Sequence, residues 1–409
     1  MKILHIAYTL GESSAATRLA VRQSETHEVH FFLGRLSKCG FIRERQIYPH
    51  LLMILGISFH LFEMLLCKLF RVMKGEVFSF GLTSVLQRLI LRRLVSRFKF
   101  DVVHLHWGGY GFCPASALEG TASMKVVTVH DYHSVTGGCH VPMGCEQLQK
   151  GCVECPLLGN EFLRPVASYG LRERISSLRT MNLKVTAPST YTRNLIRSIH
   201  QGLDIRVIPN VLGVKYPMNE AGVDAMLSLY QNKAPNDCFN LLVVGVAKSI
   251  RDNKGTRVLD YVVQRLKEQN IRFKVMVVGA RFDGDDPSVY ENYGNLESSE
   301  LARIYAIADL CLVPSRYETF SQVTLESIAC CTPVVAFNLT GPKDIIAEGK
   351  SGFLTDAFDM EAYYRAVRDN LHYKRTNLVR LRECALDVIV HYSGQEVVKA
   401  FNEVYSEQG

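Results

Sequence analysis

Short apolar runs alternate along the chain with longer segments in which apolar residues recur every three or four positions. The short runs indicate buried strands, and the longer segments indicate helices with one apolar face. Because strands and helices alternate in both halves, we predict an α/β protein with two doubly wound parallel sheets. The 409 residues are enough for two domains, each with its own core.

The pattern also predicts where individual elements lie. Strands are predicted at residues 2–8, 27–33, 101–105, 125–129, 184–187, 206–208, 240–246, 273–279, 310–313 and 334–337. Residues 349–355 contain two glycines and are predicted to form a turn. The polar stretch at 213–237 separates the halves, so we predict domains at 1–212 and 213–390, followed by a helical segment at 391–409.

Two segments of the first half are unusually apolar, residues 49–74 and 82–99. The first segment is interrupted by His60, Glu63, Lys68 and Arg71. No apolar run of about 20 residues that could span a bilayer is therefore present in it. Four arginines lie in the second segment, Arg88, Arg92, Arg93 and Arg97. Either these helices pack on the sheet, or part of their surface lies on the inner membrane leaflet.

The densest candidate chemistry lies in residues 310–346, which are predicted to form a strand, a loop, a helix and a second strand. Glu318 lies in the loop, Ser321 can cap the helix, and Glu326 lies just inside it. Open α/β sheets bind ligands at the carboxyl ends of strands, where the amides of residues 322–324 suit a phosphate group. The pattern fits a phosphorylated, polyhydroxylated ligand. The alternative is that the two glutamates are ordinary surface charges.

The spacing of Glu318 and Glu326, followed by SIACCTPVVAF and a glycine-containing turn, resembles the signature of retaining GT-B glycosyltransferases of family four. Those enzymes use nucleotide sugars, and the resemblance implies two Rossmann-like domains facing across a cleft. It implies that the first domain binds the acceptor, that the second binds the nucleotide sugar, and that the last helix crosses back to the first. The family usually has glycine at the positions of Thr319 and Ser321. The larger side chains of this chain narrow the space beside the donor sugar, so they bear on which sugar is bound more than on which reaction is catalysed.

The resemblance also implies roles for single residues. Glu326 would bind the ribose hydroxyls, and Glu318 would bind hydroxyls of the donor sugar. Lys254 matches the lysine that binds the diphosphate, with Lys248 or Arg251 in place of the usual arginine; the alternative is a solvated basic loop. Further donor contacts are expected from Phe320, Ser321, Gln322, Leu296, Ser13 and Ser14. The two last serines alternatively serve only as helix caps.

Histidines follow two strands of the predicted first sheet, at His106 and at His130 with His133. Because the carboxyl ends of parallel strands meet at one edge, we expect these clusters to lie together. In the resembled family a histidine at the position of His130 reaches the donor sugar, and we count it with Glu318 and Lys254 as catalytic. The alternative is a structural histidine whose hydrogen bonds are satisfied.

An insertion at residues 137–160 carries four cysteines, Cys139, Cys145, Cys152 and Cys155. In a reducing compartment such a set favours a structural zinc ion, with disulfides, redox regulation and unpaired cysteines as alternatives. Similar insertions occur in a colanic-acid or exopolysaccharide subset of the resembled family. The insertion lacks the basic and aromatic residues of a nucleic-acid-binding module, so no nucleic-acid partner is expected.

Composition and charge agree with a cytoplasmic enzyme. The net charge of +7 favours an anionic partner, for which a nucleotide sugar and the inner leaflet both qualify. The opening MKILHIAYTL reads as a buried strand without a cleavage site, so we expect a cytoplasmic protein that is either free or peripheral on the inner membrane face. Most of its 12 cysteines are then expected to be reduced.

These features predict a retaining glycosyltransferase of surface polysaccharide biosynthesis. The acceptor is expected to be a glycan or a polyprenyl-diphosphate-linked sugar. No Asp-x-Asp pair follows a predicted strand, because Asp283, Asp285 and Asp286 lie in a loop read as surface, so catalysis is expected to need no metal or other cofactor. The alternatives are a nucleotide-sugar epimerase of the same fold and a non-catalytic scaffold of a polysaccharide assembly complex.

Overall fold

A computed structural model describes residues 1–7, 11, 14–33, 51–73, 78–80, 84–107, 113, 115–121, 123–180, 183–232, 238–246 and 252–407. The chain forms two compact units. The first consists of Met1–Pro209 and Val397–Gly409, and the second of Asn210–Glu396. The unit boundaries lie close to the predicted positions 212 and 390.

The first unit is built on a parallel sheet whose order, within the described residues, is β2-β1-β3-β4-β5-β6. Its strands are β1 (Lys2–Ala7), β2 (Glu28–Leu33), β3 (Val102–Trp107), β4 (Met124–Thr128), β5 (Lys184–Ala187) and β6 (Ile205–Val207). Its helices are α1 (Ala15–Gln23), α2 (Leu51–Leu69), α3 (Ser84–Phe98), α4 (Pro165–Thr180) and α5 (Thr190–Ile199). Strands and helices alternate, so the first predicted sheet is confirmed.

The second unit has a parallel sheet of order β12-β11-β10-β7-β8-β9 within the described residues. Its strands are β7 (Phe239–Val244), β8 (Phe273–Val278), β9 (Tyr290–Gly294), β10 (Leu310–Val313), β11 (Val334–Phe337) and β12 (Gly352–Thr355). Its helices are α6 (Glu220–Gln231), α7 (Thr256–Glu268), α8 (Ser298–Ile307), α9 (Gln322–Ala329), α10 (Met360–Asp369), α11 (Tyr373–Thr376) and α12 (Leu378–Tyr392). The second predicted sheet is confirmed as well.

The turn predicted at residues 349–355 is wrong in its second half. Gly352 begins the strand β12, which pairs with β11 at the edge of the sheet. A Cβ on Gly352 would lie 2.4 Å from the carbonyl oxygen of Val334, so this glycine permits a close approach of two backbones. Within the described residues this strand lies at the edge of the sheet, and its two central residues are only partly buried, so the sequence shows no continuous buried run there.

The last helix, α13 (Gln395–Ser406), packs on the first unit. Its buried face includes Phe401 and Tyr405. The Tyr405 hydroxyl lies 3.0 Å from Gln23 Nε2 and 2.8 Å from His104 Nδ1. Helix α13 therefore packs against α1 and β3.

Helix α2 presents apolar side chains to solvent. Its residues Leu61, Phe62, Met64, Leu65 and Leu69 are between 43% and 62% exposed. The opposite face is buried, and there the Glu63 carboxylate accepts a hydrogen bond of 2.7 Å from the backbone amide of Phe80. None of the described helices is both long and apolar enough to cross a bilayer. We call the five exposed residues the α2 apolar face.

Part of the basic, amphipathic surface predicted for helix α3 is engaged within the first unit. Leu91, Leu94 and Val95 are buried against the sheet. Two of its arginines contact one glutamate, with Arg88 Nη1 2.5 Å from Glu119 Oε2 and Arg92 Nε 3.1 Å from the Glu119 carbonyl oxygen. These two arginines therefore help to hold α3 on its own unit.

Candidate functional site

The central feature of the second unit is an ion pair between two predicted site residues. Lys254 Nζ lies 2.7 Å from Glu318 Oε1. Lys254 follows β7 and Glu318 follows β10, and these strands are neighbours, so their carboxyl ends bring the two loops together. The Glu318 carboxylate raises the pKa of Lys254. The lysine is therefore held in its charged form, and both side chains remain partly open to solvent.

The loop that carries Lys254 is fixed on both sides. Gly255 has a φ of +69°, and a Cβ there would lie 2.0 Å from the carbonyl oxygen of Pro314. The buried Asp252 accepts hydrogen bonds from the Thr256 amide at 2.6 Å and the Thr256 hydroxyl at 2.7 Å, which caps α7. Asp252 was not predicted as part of the site. It lies four residues before the first helical residue, Thr256, so the ordinary capping pattern did not reveal it.

Ser321, the residue that caps α9, has a strained backbone conformation. Its φ of +82° is in a region that non-glycine residues rarely adopt, and this explains why glycine is usual in the resembled family. Its hydroxyl accepts a hydrogen bond from the Thr324 amide at 3.4 Å. Of the three amides predicted to bind phosphate, at residues 322–324, that of Thr324 is therefore engaged by this cap.

Glu326 is buried on α9, only 4% exposed. The Tyr305 hydroxyl, from α8, donates a hydrogen bond of 3.2 Å to its Oε2. Burial, with the Glu326 charge as a second cause, raises the pKa of Tyr305 well above its usual value, so this tyrosine stays a donor. The alternative of an ordinary surface charge is wrong for Glu326, because its carboxylate is buried and oriented. Tyr305 was not predicted as a site residue.

The loop that carries Glu318 packs closely on the loop after β11. The Gly341 amide donates a hydrogen bond of 3.1 Å to the Glu318 carbonyl oxygen. A Cβ on Gly341 would lie 2.3 Å from the carbonyl oxygen of Phe320. The Phe320 ring itself is buried against Tyr392, so its side chain is part of the core. Any contact from Phe320 to a donor would come from its backbone.

The other predicted donor contacts are placed as follows. Gln322 is the first residue of α9, and Leu296 lies partly buried against the core of the second unit. In the first unit, the Ser14 hydroxyl caps α1 by accepting a hydrogen bond of 3.1 Å from the Thr17 amide. Ser13, Lys248 and Arg251 lie outside the described residues.

In the first unit the two predicted histidine clusters are in contact. His106 Nδ1 lies 3.0 Å from His130 Nε2, and the two rings are stacked. His106 Nε2 lies 2.8 Å from His5 Nδ1 on the neighbouring strand β1. Burial lowers the pKa of His130 to about 4, so its imidazole is neutral at pH 7. His5 was not predicted, since a histidine within an apolar strand gives no sign of a partner on another strand.

The four cysteines of the insertion lie near one another. Each thiol of Cys139, Cys145, Cys152 and Cys155 interacts electrostatically with the others. Burial raises the pKa of Cys139 to about 12 and that of Cys152 to about 11, while backbone amides of Gly137 and Leu157 act in the opposite direction on Cys152 and Cys155.

The spacing of these sulfurs is wider than a zinc ion requires. Zn–S bonds of about 2.3 Å place the sulfurs of a tetrahedral site about 3.8 Å apart. Among the described residues, the set of three or more ligand atoms within 4.8 Å of one another is that of His5, His104 and His106, and the cysteines are not part of such a set. The four thiols can converge on an ion only by moving closer, and the zinc site stays a prediction.

Comparison with known proteins finds a similarity within the second unit. Residues 233–383 match the family model of glycosyl transferases group 1. This segment of the second unit is thus similar to group 1 glycosyl transferases. This match covers the ion pair of Lys254 and Glu318, the cap at Ser321 and the buried Glu326.

Solved structures with the same fold align with nearly the whole chain. Sucrose-phosphate synthase from Thermosynechococcus elongatus is 15% identical, with 99% of this chain and 98% of that chain covered and a TM-score of 0.62. Anabaena HepE, solved in complex with UDP and glucose, is 16% identical, with full coverage of both chains and a TM-score of 0.63. At this identity the likeness shows the fold alone, and that fold is GT-B, as predicted.

Curated relatives match shorter parts of the chain. Sulfoquinovosyl transferase of Arabidopsis thaliana is 28% identical over 246 residues, which cover 52% of this chain and 46% of the relative. D-inositol 3-phosphate glycosyltransferase of Corynebacterium urealyticum is 37% identical over 106 residues, which cover 26% of this chain and 25% of the relative. The chain thus matches less than half the length of each.

Proposed function

We propose that the chain is a retaining glycosyltransferase that moves a sugar from a nucleotide-sugar donor to a glycan or polyprenyl-diphosphate-linked acceptor in surface polysaccharide biosynthesis. The observation that carries this proposal is the Lys254–Glu318 ion pair at the ends of two neighbouring strands. The loop of Glu318 leads directly into the helix that carries the buried Glu326. All three residues lie within the segment that matches the group 1 family.

Each residue of this set has a distinct proposed role. The Lys254 ammonium neutralises the charge that grows on the leaving diphosphate, which is the largest contribution to lowering the barrier available without a metal. Glu318 orients that ammonium and accepts hydrogen bonds from hydroxyls of the donor sugar. Glu326, with one oxygen already bonded to Tyr305, presents its carboxylate to the ribose hydroxyls.

The donor is supported by what similar proteins bind. Anabaena HepE was solved with UDP and glucose. The two curated relatives are named as transferases of sulfoquinovosyl and glycosyl groups. We infer that this chain also takes a nucleoside diphosphate sugar, and that the leaving phosphate accepts the proton of the acceptor hydroxyl.

Catalysis without a metal is part of the proposal. The three aspartates after β8 lie on the surface of the second unit, where Asp283 Oδ2 lies 2.8 Å from Arg281 Nε and Asp286 is paired with Lys267. These pairs occupy two of the three carboxylates, those of Asp283 and Asp286. The charge of the diphosphate is then neutralised by lysine and backbone amides.

A lipid-linked acceptor is supported by the α2 apolar face. Five exposed apolar side chains on one helix, with the exposed Lys68 and Arg71 beside the last of them, match the chemistry of an anionic membrane surface. We propose that α2 rests on the inner leaflet and brings the first unit to its acceptor.

A structural zinc ion in the insertion is likewise proposed. The four thiols interact electrostatically with one another and are the donor type that zinc prefers, and an ion would draw them closer together than they lie in this structure. The ion would hold the insertion together by folding energy and take no part in the transfer.

Incubation with radiolabelled nucleotide sugars tests the function. Transfer to an acceptor, or slow hydrolysis of the donor, supports the transferase. An isomerised donor would establish the epimerase instead, and no reaction with any donor would establish the scaffold.

Variants of Glu326 sharpen this test. We expect Glu326→Ala to abolish transfer and Glu326→Gln to reduce it, since the amide accepts fewer hydrogen bonds than the carboxylate. Glu383→Ala, an exposed glutamate of the same unit, is the matched control and should transfer normally. Undiminished transfer by a folded Glu326→Ala would disprove the ribose contact.

A further inference from the structure

A cavity of about 280 Å³ lies on the first unit at the amino ends of β5 and β6. It is lined by the end of α4, the residues that lead into β6, the two strands themselves and the end of α13. The strands β3 to β6 are parallel, so their amino ends share one edge of the sheet. His106 and His130 lie at the opposite edge, toward the carboxyl ends. The cavity is therefore separate from the predicted site of the first unit.

The register of β5 and β6 places charged side chains in this cavity. Thr186 pairs with Arg206, and successive side chains of a strand alternate between the two faces of the sheet. Lys184 and Arg206 therefore lie on the same face. Val185 and Ile205 lie on the other face, where they are buried in the core.

The carboxylate of Glu407 lies between these two cations. Glu407 Oε2 is 3.0 Å from Lys184 Nζ, and Glu407 Oε1 is paired with Arg206 Nη2. Hydrogen bonding from Lys184 lowers the pKa of Glu407, so this carboxylate is charged at pH 7. A lysine and an arginine that converge on one anionic group are also the side chains that proteins use to bind phosphate. The cavity thus already holds an anion, which belongs to the chain itself.

The lining carries more positive charge than Glu407 neutralises. Arg179, in the last turn of α4, is a third cation of the lining, and within the described residues its guanidinium donates to the Gln201 carbonyl oxygen at 3.0 Å. Asp204 is the other carboxylate of the lining. With Glu407 in place, three cations face two carboxylates, and with Glu407 withdrawn they face one. The second state suits a dianionic phosphate group.

Glu407 can leave the cavity without a large change in structure. It follows Ser406, the last residue of α13, so its side chain can turn away while the helix stays intact. The side chain of Glu407 is 30% exposed, and those of Lys184 and Arg206 are 26% and 44% exposed. Ion pairs this open to solvent are screened by water and salt and stabilise a fold little. A ligand with more charge and more acceptor oxygens can therefore displace the carboxylate.

We propose that this cavity is a binding site for a soluble phosphate or phosphomonoester, whose phosphate group takes the place of the Glu407 carboxylate between Lys184 and Arg206. The cavity volume is close to the lower limit of small-molecule pockets, about 300 Å³, so a small organic group fits beside the phosphate. Leu183 and Leu203 give that group an apolar surface. The site goes beyond the proposed sugar transfer and does not depend on it.

Isothermal titration calorimetry of the full-length protein tests the site with inorganic phosphate and with glycerol 3-phosphate, in a chloride buffer of low ionic strength. We expect saturable binding in the wild type and also in Lys254→Ala, in which the phosphate contact proposed for the second unit is lost. Tighter binding of glycerol 3-phosphate would identify the ligand as an ester, and equal binding would identify it as phosphate. Binding that disappears in Lys254→Ala, or no saturable binding in the wild type, would overturn the proposal.

Substitution of the two cations locates the binding. Arg206→Ala and Lys184→Ala should each weaken binding by at least about tenfold, because each removes a charge-assisted hydrogen bond to the phosphate. Lys150→Ala, which changes a lysine of the same unit that is 63% exposed, is the matched control and should bind as the wild type does. Circular dichroism checks that each variant is folded. Wild-type affinity in folded Arg206→Ala and Lys184→Ala would place the ligand elsewhere and refute the site.

Substitution of Glu407 tests whether its carboxylate and the ligand share one position. Glu407→Gln removes the competing charge, so it should bind phosphate about tenfold more tightly if the carboxylate fills the site about nine-tenths of the time. A purely structural ion pair predicts the opposite pattern, a loss of thermal stability in Glu407→Gln with no gain in affinity. That pattern would overturn the displacement of Glu407 by phosphate.

Lipid headgroups carry the same phosphate chemistry and need a separate measurement. Cosedimentation with vesicles of phosphatidylcholine and phosphatidic acid compares the wild type with Arg206→Ala. We expect equal sedimentation of the two proteins, because the ligand is soluble. Binding to these vesicles that depends on Arg206, without binding of glycerol 3-phosphate or phosphate, would assign the cavity to a lipid and overturn the soluble ligand.

Discussion

Lys254 Nζ and Glu318 Oε1 are 2.7 Å apart, so the residue proposed to neutralise the diphosphate is held by the residue proposed to bind the sugar. In the proposed donor complex, the pair would hold the diphosphate and the sugar of the donor at the ends of two neighbouring strands. Replacing Lys254 with Ala should reduce kcat by about 10²- to 10³-fold, the usual effect of losing one charge-stabilising group. Steady-state kinetics measure this, with Lys350→Ala, an exposed lysine of the same unit, as the control.

Loss of the Glu318 carboxylate should affect the kinetics differently from loss of Lys254. Glu318→Gln leaves Lys254 without its charge partner, so we expect both a lower kcat and a weaker discrimination between donor sugars. A Lys254→Ala enzyme that retains wild-type kcat would contradict the proposed role of the pair.

The backbone at Ser321 predicts an unusual order of stabilities. Glycine relieves the positive φ at the cost of a few tenths of a kcal/mol in capping, whereas alanine keeps the strain and loses the cap. Ser321→Gly should therefore be as stable as the wild type or up to about 1 kcal/mol more stable, and Ser321→Ala about 1 kcal/mol less stable. Chemical denaturation followed by circular dichroism measures this order, and an alanine variant as stable as the glycine variant would refute the assignment of strain.

The buried histidines predict acid sensitivity. Burial lowers the pKa of His5 to about 3 and that of His130 to about 4, whereas both titrate near 6.5 in the unfolded chain. Between those values the unfolded state binds more protons, so stability falls as pH falls below about 6.5. Each of these histidines should cost about 1.4 kcal/mol per pH unit in that window.

The midpoint of thermal unfolding between pH 7 and pH 5 measures this effect. His5→Asn should show a shallower pH dependence than the wild type. His391→Gln, which changes an exposed histidine of α12, should not. Equal slopes for the wild type and His5→Asn would show that His5 is not buried as a neutral base.

The α2 apolar face predicts membrane binding. Leu61→Glu combined with Leu65→Glu places charge on two side chains that are about 60% exposed, so the fold should be kept while binding to vesicles is lost. Cosedimentation with phosphatidylglycerol vesicles measures binding, and Val379→Glu, at an exposed apolar position of the second unit, is the matched control. Equal sedimentation of both variants would argue against α2 as the membrane surface.

The four-cysteine insertion predicts a metal content. Purified wild-type protein should hold about one zinc ion per chain, and Cys155→Ser should lose it together with several degrees of thermal stability. Elemental analysis measures this, with Cys384→Ser outside the insertion as the control. Wild-type protein without zinc that is as stable as zinc-loaded protein would exclude a structural ion.

Much of the fold could be predicted because the decisive patterns are local. The strands at 184–187, 310–313 and 334–337 match β5, β10 and β11, since each is a short apolar run between polar residues. The site residues that were missed depend on contacts between distant positions. Tyr305 is 21 residues from Glu326, and His5 is 101 residues from His106, so neither bond leaves a trace in nearby sequence.

The return of α13 to the first unit has a consequence for biosynthesis. Tyr405 supplies a hydroxyl to His104 and Gln23, so these buried groups have this partner only after residue 405 has left the ribosome. The second unit is continuous in sequence and can fold earlier, while the amino-terminal strands must wait. A truncation that ends before α13 should therefore leave the amino-terminal half dependent on chaperones, even though most of its own strands are present.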